Sequence, residues 1–161
     1  MVVIKQVTTR KEQRQFVNFP LNLYKDCEYF DPCLYMDELA MFKKNYVYND
    51  QSESVFFNAY IDGKMVGRIQ GILQHASNNK WHQKRVRFTR FDSIDNQEVA
   101  NGLFNAIERW AKEKEMTEVV GPLGYSDLER EGLLIEGFDR LSTFEEQYNY
   151  PYYVSLLENY G

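Results

Sequence analysis

The sequence predicts a single mixed α/β domain in which helices pack on both faces of a mostly antiparallel sheet. The chain has 161 residues, of which 43% are hydrophobic and 16% aromatic, so one domain can bury a sizeable core. The middle of the chain has the composition of a three-strand meander. An amphipathic helix then leads to one further short strand, and such a crossover makes the two strands that it joins parallel neighbours.

The first third of the chain is predicted to contain one strand and two helices. Residues 2–7 are rich in β-branched side chains, which is typical of a strand. A Thr-x-x-Glu capping box at residues 9–12 predicts a helix over 10–16, which Pro20 interrupts. An apolar stripe behind a proline at the first turn predicts a second helix over 32–44.

The middle third reads as the meander. Residues 54–61 are rich in aromatic and β-branched side chains, and the Asp-Gly-Lys segment at 62–64 is a tight hairpin turn. Residues 65–75 return as the partner strand. A polar loop is predicted over 76–80, and the alternation over 84–94 predicts the third strand.

The last third begins with the most regular pattern of the sequence. Asp95 and Glu98 form a second capping-box signature, and a helix is predicted from there to about Lys114. Its apolar face repeats at intervals of four, four and three residues, in Val99, Leu103, Ile107 and Trp110.

Three more segments complete the predicted order of elements. Residues 118–122 form a short strand that ends in Gly-Pro, and residues 151–159 form a last helix. Between them lies a long irregular stretch over 123–148. Loops of this length inside a compact domain are often binding segments.

Composition excludes several classes of protein. No stretch approaches the ~18 apolar residues of a membrane span, and the N-terminus turns polar too soon for a signal peptide. Two cysteines, Cys27 and Cys33, suit a reducing cytoplasm better than a disulfide framework. The net charge of −5 disfavours a nucleic-acid backbone. We therefore expect a cytoplasmic protein without a membrane or nucleic-acid partner.

Three weaker patterns predict no site. Basic and aromatic residues interleave over 80–91, as single-stranded nucleic acid binding requires, but strand alternation puts the two kinds on opposite faces. His75 and His82 lack the accompanying ligands of a metal site, so no metal is expected. No nucleophile-elbow sequence supports a serine triad.

Five segments of the chain resemble a known family. They are residues 66–69, 91–98, 121–122, 131–138 and 149–153. Together with the order of elements, they resemble the acyl-coenzyme A N-acyltransferase superfamily, which has the GNAT fold, and in particular bacterial GNAT-like proteins. Two more strands follow the last helix in that fold. The resemblance implies that residues 1–161 are one GNAT-like domain without its final strands, truncated or excised from a longer protein whose C-terminal domain would be a partner.

The resemblance implies acetyl-coenzyme A, or another acyl-coenzyme A, as the acyl donor. Family members hold its pyrophosphate on a Gln/Arg-x-x-Gly-x-Gly/Ala loop, where the free N–H groups of a helix start meet the phosphates. Residues 95–100 read Asp-Asn-Gln-Glu-Val-Ala here, without glycine and with two carboxylates that would cap the helix themselves. The residues expected to hold the donor are Arg90, Phe91, Ser93, Asn96, Gln97, Gly121, Gly124 and Asn149.

The resemblance also implies direct attack of an amine on the thioester. The amine must lose a proton, and Asp92 is the candidate acceptor, unless it is a turn or capping residue. Many family members use a tyrosine on the last helix to protonate the thiolate, at the position of Leu157 here. Tyr153 lies one turn earlier on the same face and is the candidate donor, unless it is an aromatic residue at the edge of the core.

The cleft is expected where the two parallel strands part, around residues 90–93 and 121–124. Backbone N–H groups over 93–95 would hold the thioester oxygen. The loop over 123–147 carries seven carboxylates against two arginines, and would attract a cationic acceptor amine if it covered the cleft. A solvated acidic loop is the alternative.

A second class of function stays open. The chain would then be a non-catalytic GNAT-like module that binds an amino compound or packs against a missing C-terminal half. A homo-oligomer is also compatible with the sequence.

Overall fold

The computed structural model describes all 161 residues and contains five strands and five helices. The strands are β1 (Val2–Gln6), β2 (Ser52–Ile61), β3 (Lys64–Gln74), β4 (Arg85–Ser93) and β5 (Glu118–Val120). The helices are α1 (Arg10–Leu23), α2 (Tyr35–Ala40), α3 (His75–Trp81), α4 (Gln97–Glu113) and α5 (Tyr152–Tyr160). The mixed α/β fold class with a mostly antiparallel sheet is confirmed.

The strands follow their order in the sequence across the sheet, and only the last pair is parallel. The predicted parallel pairing of β4 with β5 is therefore confirmed. It covers three residue pairs, beginning with Arg85 opposite Glu118. Beyond it, the N–H of Leu123 still donates to the carbonyl oxygen of Phe88, at 2.8 Å. From there to Ser93, no strand pairs with this edge of β4.

Helices cover both faces of the sheet. Helices α4 and α5 pack on one face, where 18 buried residues form the larger core, and α1 and the segment around α2 cover a smaller core of 7 residues. Strand β3 contributes side chains to both cores, because Ile69 packs in the larger core and Ile72 in the smaller one. Gly67 and Gly71 let α4 come close, since an added Cβ at either position would lie 3.0 Å from a side chain of α4.

Helix α1 continues through Pro20, where the sequence predicted an interruption. Proline lacks the N–H that would bond to the carbonyl oxygen of Phe16, four residues earlier. Nη1 of Arg68 donates to that oxygen instead, at 3.0 Å. A contact from β3 therefore replaces the missing helical hydrogen bond. The capping box over residues 9–12 is confirmed.

Two other local predictions are wrong. The segment 76–80 is part of helix α3 and not a loop, and the Asn78 side chain ties this helix to the carbonyl oxygen of Arg85, at 2.8 Å. Helix α2 is shorter than the predicted range of 32–44, because a series of turns follows it. No helix combines the length and the hydrophobicity that a membrane span needs.

Candidate functional site

A β-bulge in β4 decides which side chains reach the site. Gln70 pairs with Thr89 and Arg68 pairs with Asp92, so β4 has one residue more than β3 across this stretch. In consequence Phe88 and Phe91, three residues apart, both pack on Phe104 of α4, with ring centroids 5.1 and 4.7 Å away.

Arg90 lies inside this bulge and has a positive φ of 48°. Its side chain contacts Glu38 of α2, on the face opposite to Phe91. Asp92 also lies on the α1 side of the sheet. The bulge thus directs two charged side chains of β4 towards α1 and α2.

Asp92 is 4% exposed, and three side chains hold its carboxylate. Nε of Arg68 donates to Oδ2 at 2.8 Å. The Tyr153 hydroxyl donates to Oδ1 at 3.1 Å, and the Tyr24 hydroxyl shares its single hydrogen between Oδ1 at 3.2 Å and the Tyr153 oxygen at 2.9 Å. These contacts fix both the position and the hydrogen-bonding partners of the carboxylate.

Tyr153 lies in the first turn of α5 and is buried. Its hydroxyl oxygen accepts from the Tyr24 hydroxyl at 2.9 Å and from the N–H of Ser93 at 3.1 Å. Burial and the nearby Asp92 carboxylate raise the pKa of Tyr153 well above its usual range. The Tyr152 hydroxyl donates to the carbonyl oxygen of Ser93 at 2.7 Å. Both backbone groups of Ser93 are therefore bonded to tyrosines of α5.

Charged side chains of alternating sign extend from Asp92 across the site. Arg68 lies 3.9 Å from Glu38, which accepts two hydrogen bonds of 3.0 Å from Arg90, and Arg90 also pairs with Glu129 at 3.2 Å. Burial alone would raise the pKa of Glu38, but the guanidinium groups of Arg90 and Arg68 lower it. We call these five residues, from Asp92 to Glu129, the charged row.

The charged row lines a cavity of about 180 Å³. We call it the Asp92 cavity. The end of α1, the start of α2, strand β4 and the long loop before α5 enclose it. Its lining contains five carboxylates and three guanidinium groups, a formal charge of −2, contributed by Asp37, Glu38, Asp92, Glu129, Glu145, Arg68, Arg90 and Arg130.

The structure brings together only part of the predicted site. Arg90 and Asp92 line the cavity, and Tyr153 lies behind Asp92. Phe91 faces the core on the other side of the sheet. The buried Asn149 holds the long loop, because its side chain bonds to the backbone N–H and carbonyl of Leu134 at 2.8 and 3.1 Å.

Three more predicted residues lie outside the cavity lining: Gly121 and Gly124 follow β5, and Gln97 is the first residue of α4. Gly121 packs against Phe88, and an added Cβ at Gly124 would clash with the carboxylate of Glu129. The Gln97 side chain donates to the carbonyl oxygen of Leu156 at 3.0 Å, and therefore joins α4 to α5.

The start of α4 differs from the predicted capping box. Asn96 is the N-cap, and its side chain accepts from the N–H of Val99 at 3.2 Å; Asp95 has no such role. Asn and Asp are nearly equal as N-caps, so two adjacent candidates could not be distinguished in the sequence. Within 93–95, the N–H of Ser93 bonds to Tyr153 and that of Ile94 bonds to Val66. Two of the three N–H groups expected to hold a thioester oxygen are thus engaged.

Sequence reasoning missed four members of the site, Tyr24, Arg68, Glu38 and Glu129. One of them left a signal: Arg68 is the one charged residue in the interior of β3, after Lys64 at its start, and a buried charge needs a partner. The other three lie at the end of a helix, on a short helix and in a loop, where no periodicity indicates burial.

No family model matches the chain. The chain is 25% identical over 162 residues to Protein YghO of Escherichia coli strain K12, a match that covers 99% of this chain and 41% of that relative. It is 32% identical over 136 residues to the bacterial ceramide synthase of Caulobacter vibrioides, with 83% and 35% covered. The chain thus spans less than half the length of these curated relatives.

Solved structures with a similar fold include a tandem GNAT protein from the clavulanic acid biosynthesis pathway. Its TM-score is 0.57 at 10% identity, over 74% of this chain and 35% of that one. A predicted acetyltransferase with acetyl-coenzyme A from Clostridium acetobutylicum gives 0.53 at 14% identity, over 74% and 79%. At such identities the likeness concerns the fold. The chain has the GNAT fold, as the resemblance of its sequence implied.

Proposed function

We propose that this chain is an N-acyltransferase that moves an acyl group from an acyl-coenzyme A thioester to an amine. The observation that carries the proposal is the Asp92 carboxylate, which lines a cavity at the end of β4 and is held there by Arg68 and two tyrosines. The GNAT fold supports it, as does the acetyl-coenzyme A of the Clostridium structure. A ceramide is an amide, so the name of the Caulobacter relative also points to amide formation.

The charge of the cavity suits an amine. Its lining carries a formal charge of −2, and Asp37 and Glu145 are exposed carboxylates without a basic partner within 4 Å. An ammonium ion is attracted to such a site. The ammonium ion gives one proton to solvent before its nitrogen can act as a nucleophile, and the nitrogen loses a second proton as the amide forms. Asp92 is the carboxylate at the inner end of the charged row, and we assign it this second proton.

The hydrogen bonds around Asp92 supply a route for the proton. The amine nitrogen attacks the carbonyl carbon, the C–N bond forms and the C–S bond breaks, so the amine loses one proton and the thiolate needs one. Tyr153 donates to Asp92 Oδ1 over 3.1 Å, and its raised pKa keeps the hydroxyl protonated at neutral pH. We assign the protonation of the thiolate to Tyr153, which does not line the cavity, so its hydroxyl must turn from Asp92 towards the thiolate and then recover a proton from Asp92.

The nucleotide end of the donor would be held differently from the family pattern. Helix α4 starts without glycine, its N-cap is Asn96, and Asp95 and Glu98 add negative charge near the phosphate position. Like charges there weaken an anion site. We place only the acyl end, beside Arg90 to Ser93, and expect weak binding of the pyrophosphate.

Thermal denaturation with acetyl-coenzyme A tests the proposal. A ligand at a hundred times its Kd adds about 2.7 kcal/mol to the free energy of unfolding, which raises Tm by several degrees. We expect such a shift at millimolar donor, and a smaller one with coenzyme A that carries no acyl group. No shift with acetyl- or long-chain acyl-coenzyme A would contradict the proposal and favour the non-catalytic module. One observation favours that module already: the N–H of Ser93, which was expected to hold the thioester oxygen, is bonded to Tyr153.

A further inference from the structure

Exposed hydrophobic side chains cluster at the mouth of the Asp92 cavity. Twenty of the 161 residues line this cavity, yet five of the twelve large hydrophobic side chains that are exposed on the whole chain are among them. We call these five the apolar rim: Leu21, Leu34, Tyr35, Leu128 and Phe144.

The apolar rim is assembled from three separate parts of the chain. Leu21 comes from α1, Leu34 and Tyr35 from the start of α2, and Leu128 and Phe144 from the long loop. Leu128 is 87% exposed and Phe144 is 59% exposed, so neither contributes much to the core. Large exposed apolar side chains that gather around one opening typically mark a binding surface.

The volume of the cavity limits what can lie inside. About 180 Å³ is less than the roughly 300–1,000 Å³ of a typical pocket for a drug-sized ligand. That is enough for an amino head group with a few carbon atoms, but an extended alkyl chain must continue out of the opening. There it would lie on the apolar rim.

We infer that the ligand of this cavity is a long-chain primary amine, with its ammonium group among the carboxylates and its alkyl chain on the apolar rim. The binding of this amine is inferred from the cavity alone. Its role as the acyl acceptor rests on the proposed function. Charge complementarity selects the cation, since the lining is formally −2. A fatty acid would bring a second negative group into the same site.

A homologous series of amines tests the inference. Propylamine, hexylamine and decylamine are titrated into the chain below their micelle concentrations, with decanoate as the anionic control, and affinity is measured calorimetrically. A half-buried chain gains about twofold in affinity per methylene, hence about a hundredfold from propylamine to decylamine. Equal affinities along the series, or decanoate binding as tightly as decylamine, would overturn the inference.

Paired variants locate the alkyl chain. Leu128→Ser combined with Phe144→Ser should reduce the affinity for decylamine about tenfold and leave that for propylamine unchanged. Val47→Ser combined with Ile135→Ser is the matched control, because these side chains are similarly exposed and lie outside the cavity lining. Equal losses in both pairs would refute the apolar rim as the binding surface.

Two further measurements separate this inference from its alternatives. Decylamine that binds without being acylated by any acyl-coenzyme A would remove the proposed function and keep the binding site. Acylation of short and long amines with the same KM would keep the proposed function and remove the long-chain binding site. The protein is also sedimented with phosphatidylcholine vesicles in the absence of amine. If the native chain sediments with the vesicles and the variant with Leu128→Ser and Phe144→Ser does not, the apolar rim is a membrane-docking surface and the inference is overturned.

Discussion

Nε of Arg68 and Oδ2 of Asp92 form a buried ion pair of 2.8 Å that joins β3 to β4 at the centre of the site. The same guanidinium group donates to the carbonyl oxygen of Phe16, which has no N–H partner in its helix because Pro20 follows four residues later. One arginine therefore fixes the carboxylate of the proposed acyltransferase and the helix above it.

Arg68→Met should lower the free energy of unfolding by about 3–5 kcal/mol, because it leaves the Asp92 carboxylate buried without its cation. Urea denaturation measures the loss. Combining Arg68→Met with Asp92→Asn should cost less than the sum of the two single changes.

Arg85→Met is the matched control for that experiment. Arg85 pairs with Glu118 at the same distance of 2.8 Å, but Arg85 is only half-buried and Glu118 is exposed, and a pair in contact with solvent contributes at most about 1 kcal/mol. If Arg68→Met and Arg85→Met lower the free energy of unfolding by the same amount, the buried pair of Arg68 and Asp92 stabilises the chain no more than a pair in contact with solvent does.

Asp92→Asn and Tyr153→Phe should each lower kcat by about 10²-fold or more, because one removes the proton acceptor and the other the proton donor. Steady-state rates with an acyl-coenzyme A and an amine provide the measurement. Tyr160→Phe is the control on the same helix, since its hydroxyl donates to Glu108, away from Asp92. Rates unchanged in the first two variants would remove both assigned roles and leave the fold untouched.

Glu12→Gln should reveal a charge-dependent helix cap. The N–H groups of Thr8 and Thr9 donate to the Glu12 carboxylate and lower its pKa from 4.5 to about 2. A lowered pKa in the folded state adds stability above pH 4.5, and this stability is lost as the pH falls towards 2.

The stability difference between the native chain and Glu12→Gln should accordingly be constant above about pH 5, at up to ~1 kcal/mol for an exposed cap. It should shrink between pH 4.5 and pH 3. Urea denaturation at several pH values checks this. A difference that stays the same at pH 3 would mean that the charge of Glu12 does not matter.

Gly67→Ala should destabilise the chain by about 1–3 kcal/mol, because the added Cβ would lie 3.0 Å from Leu103 and Val99 and 3.1 Å from the Asp92 carbonyl oxygen. Gly102→Ala is the comparison. Its added Cβ meets the Ile4 side chain at 3.0 and 3.1 Å and Val2 at 3.8 Å but no backbone atom, and it gains about 0.5–1 kcal/mol from helix propensity. If both variants unfold at the same urea concentration, close packing of α4 on β3 is not the reason for glycine at position 67.

The fold could be predicted from local patterns. The apolar period of α4 and its position between two strands predicted the parallel pairing of β4 with β5, because a strand that follows a helical crossover runs in the same direction as the strand before it. The error at Pro20 has a non-local cause: Pro20 was expected to interrupt the helix because local patterns do not reveal that Arg68, 52 residues away from Phe16, donates to the freed carbonyl oxygen.

The site could be predicted only in part, because it depends on contacts between distant residues. Asp92 and Tyr153 were found through a resemblance, but Arg68 meets Asp92 only through a register set by a one-residue bulge. Glu38 and Glu129 reach Arg90 from a short helix and an irregular loop, at separations of 52 and 39 residues. No periodicity encodes such pairs.

Release of coenzyme A thiol from an acyl-coenzyme A, measured together with the mass of the product, tests the account most directly. We predict release that depends on the amine, one amide formed for each thiol, and loss of both in Asp92→Asn. A chain that binds donor and amine yet forms no amide, or an Asp92→Asn variant with the full rate, would contradict it.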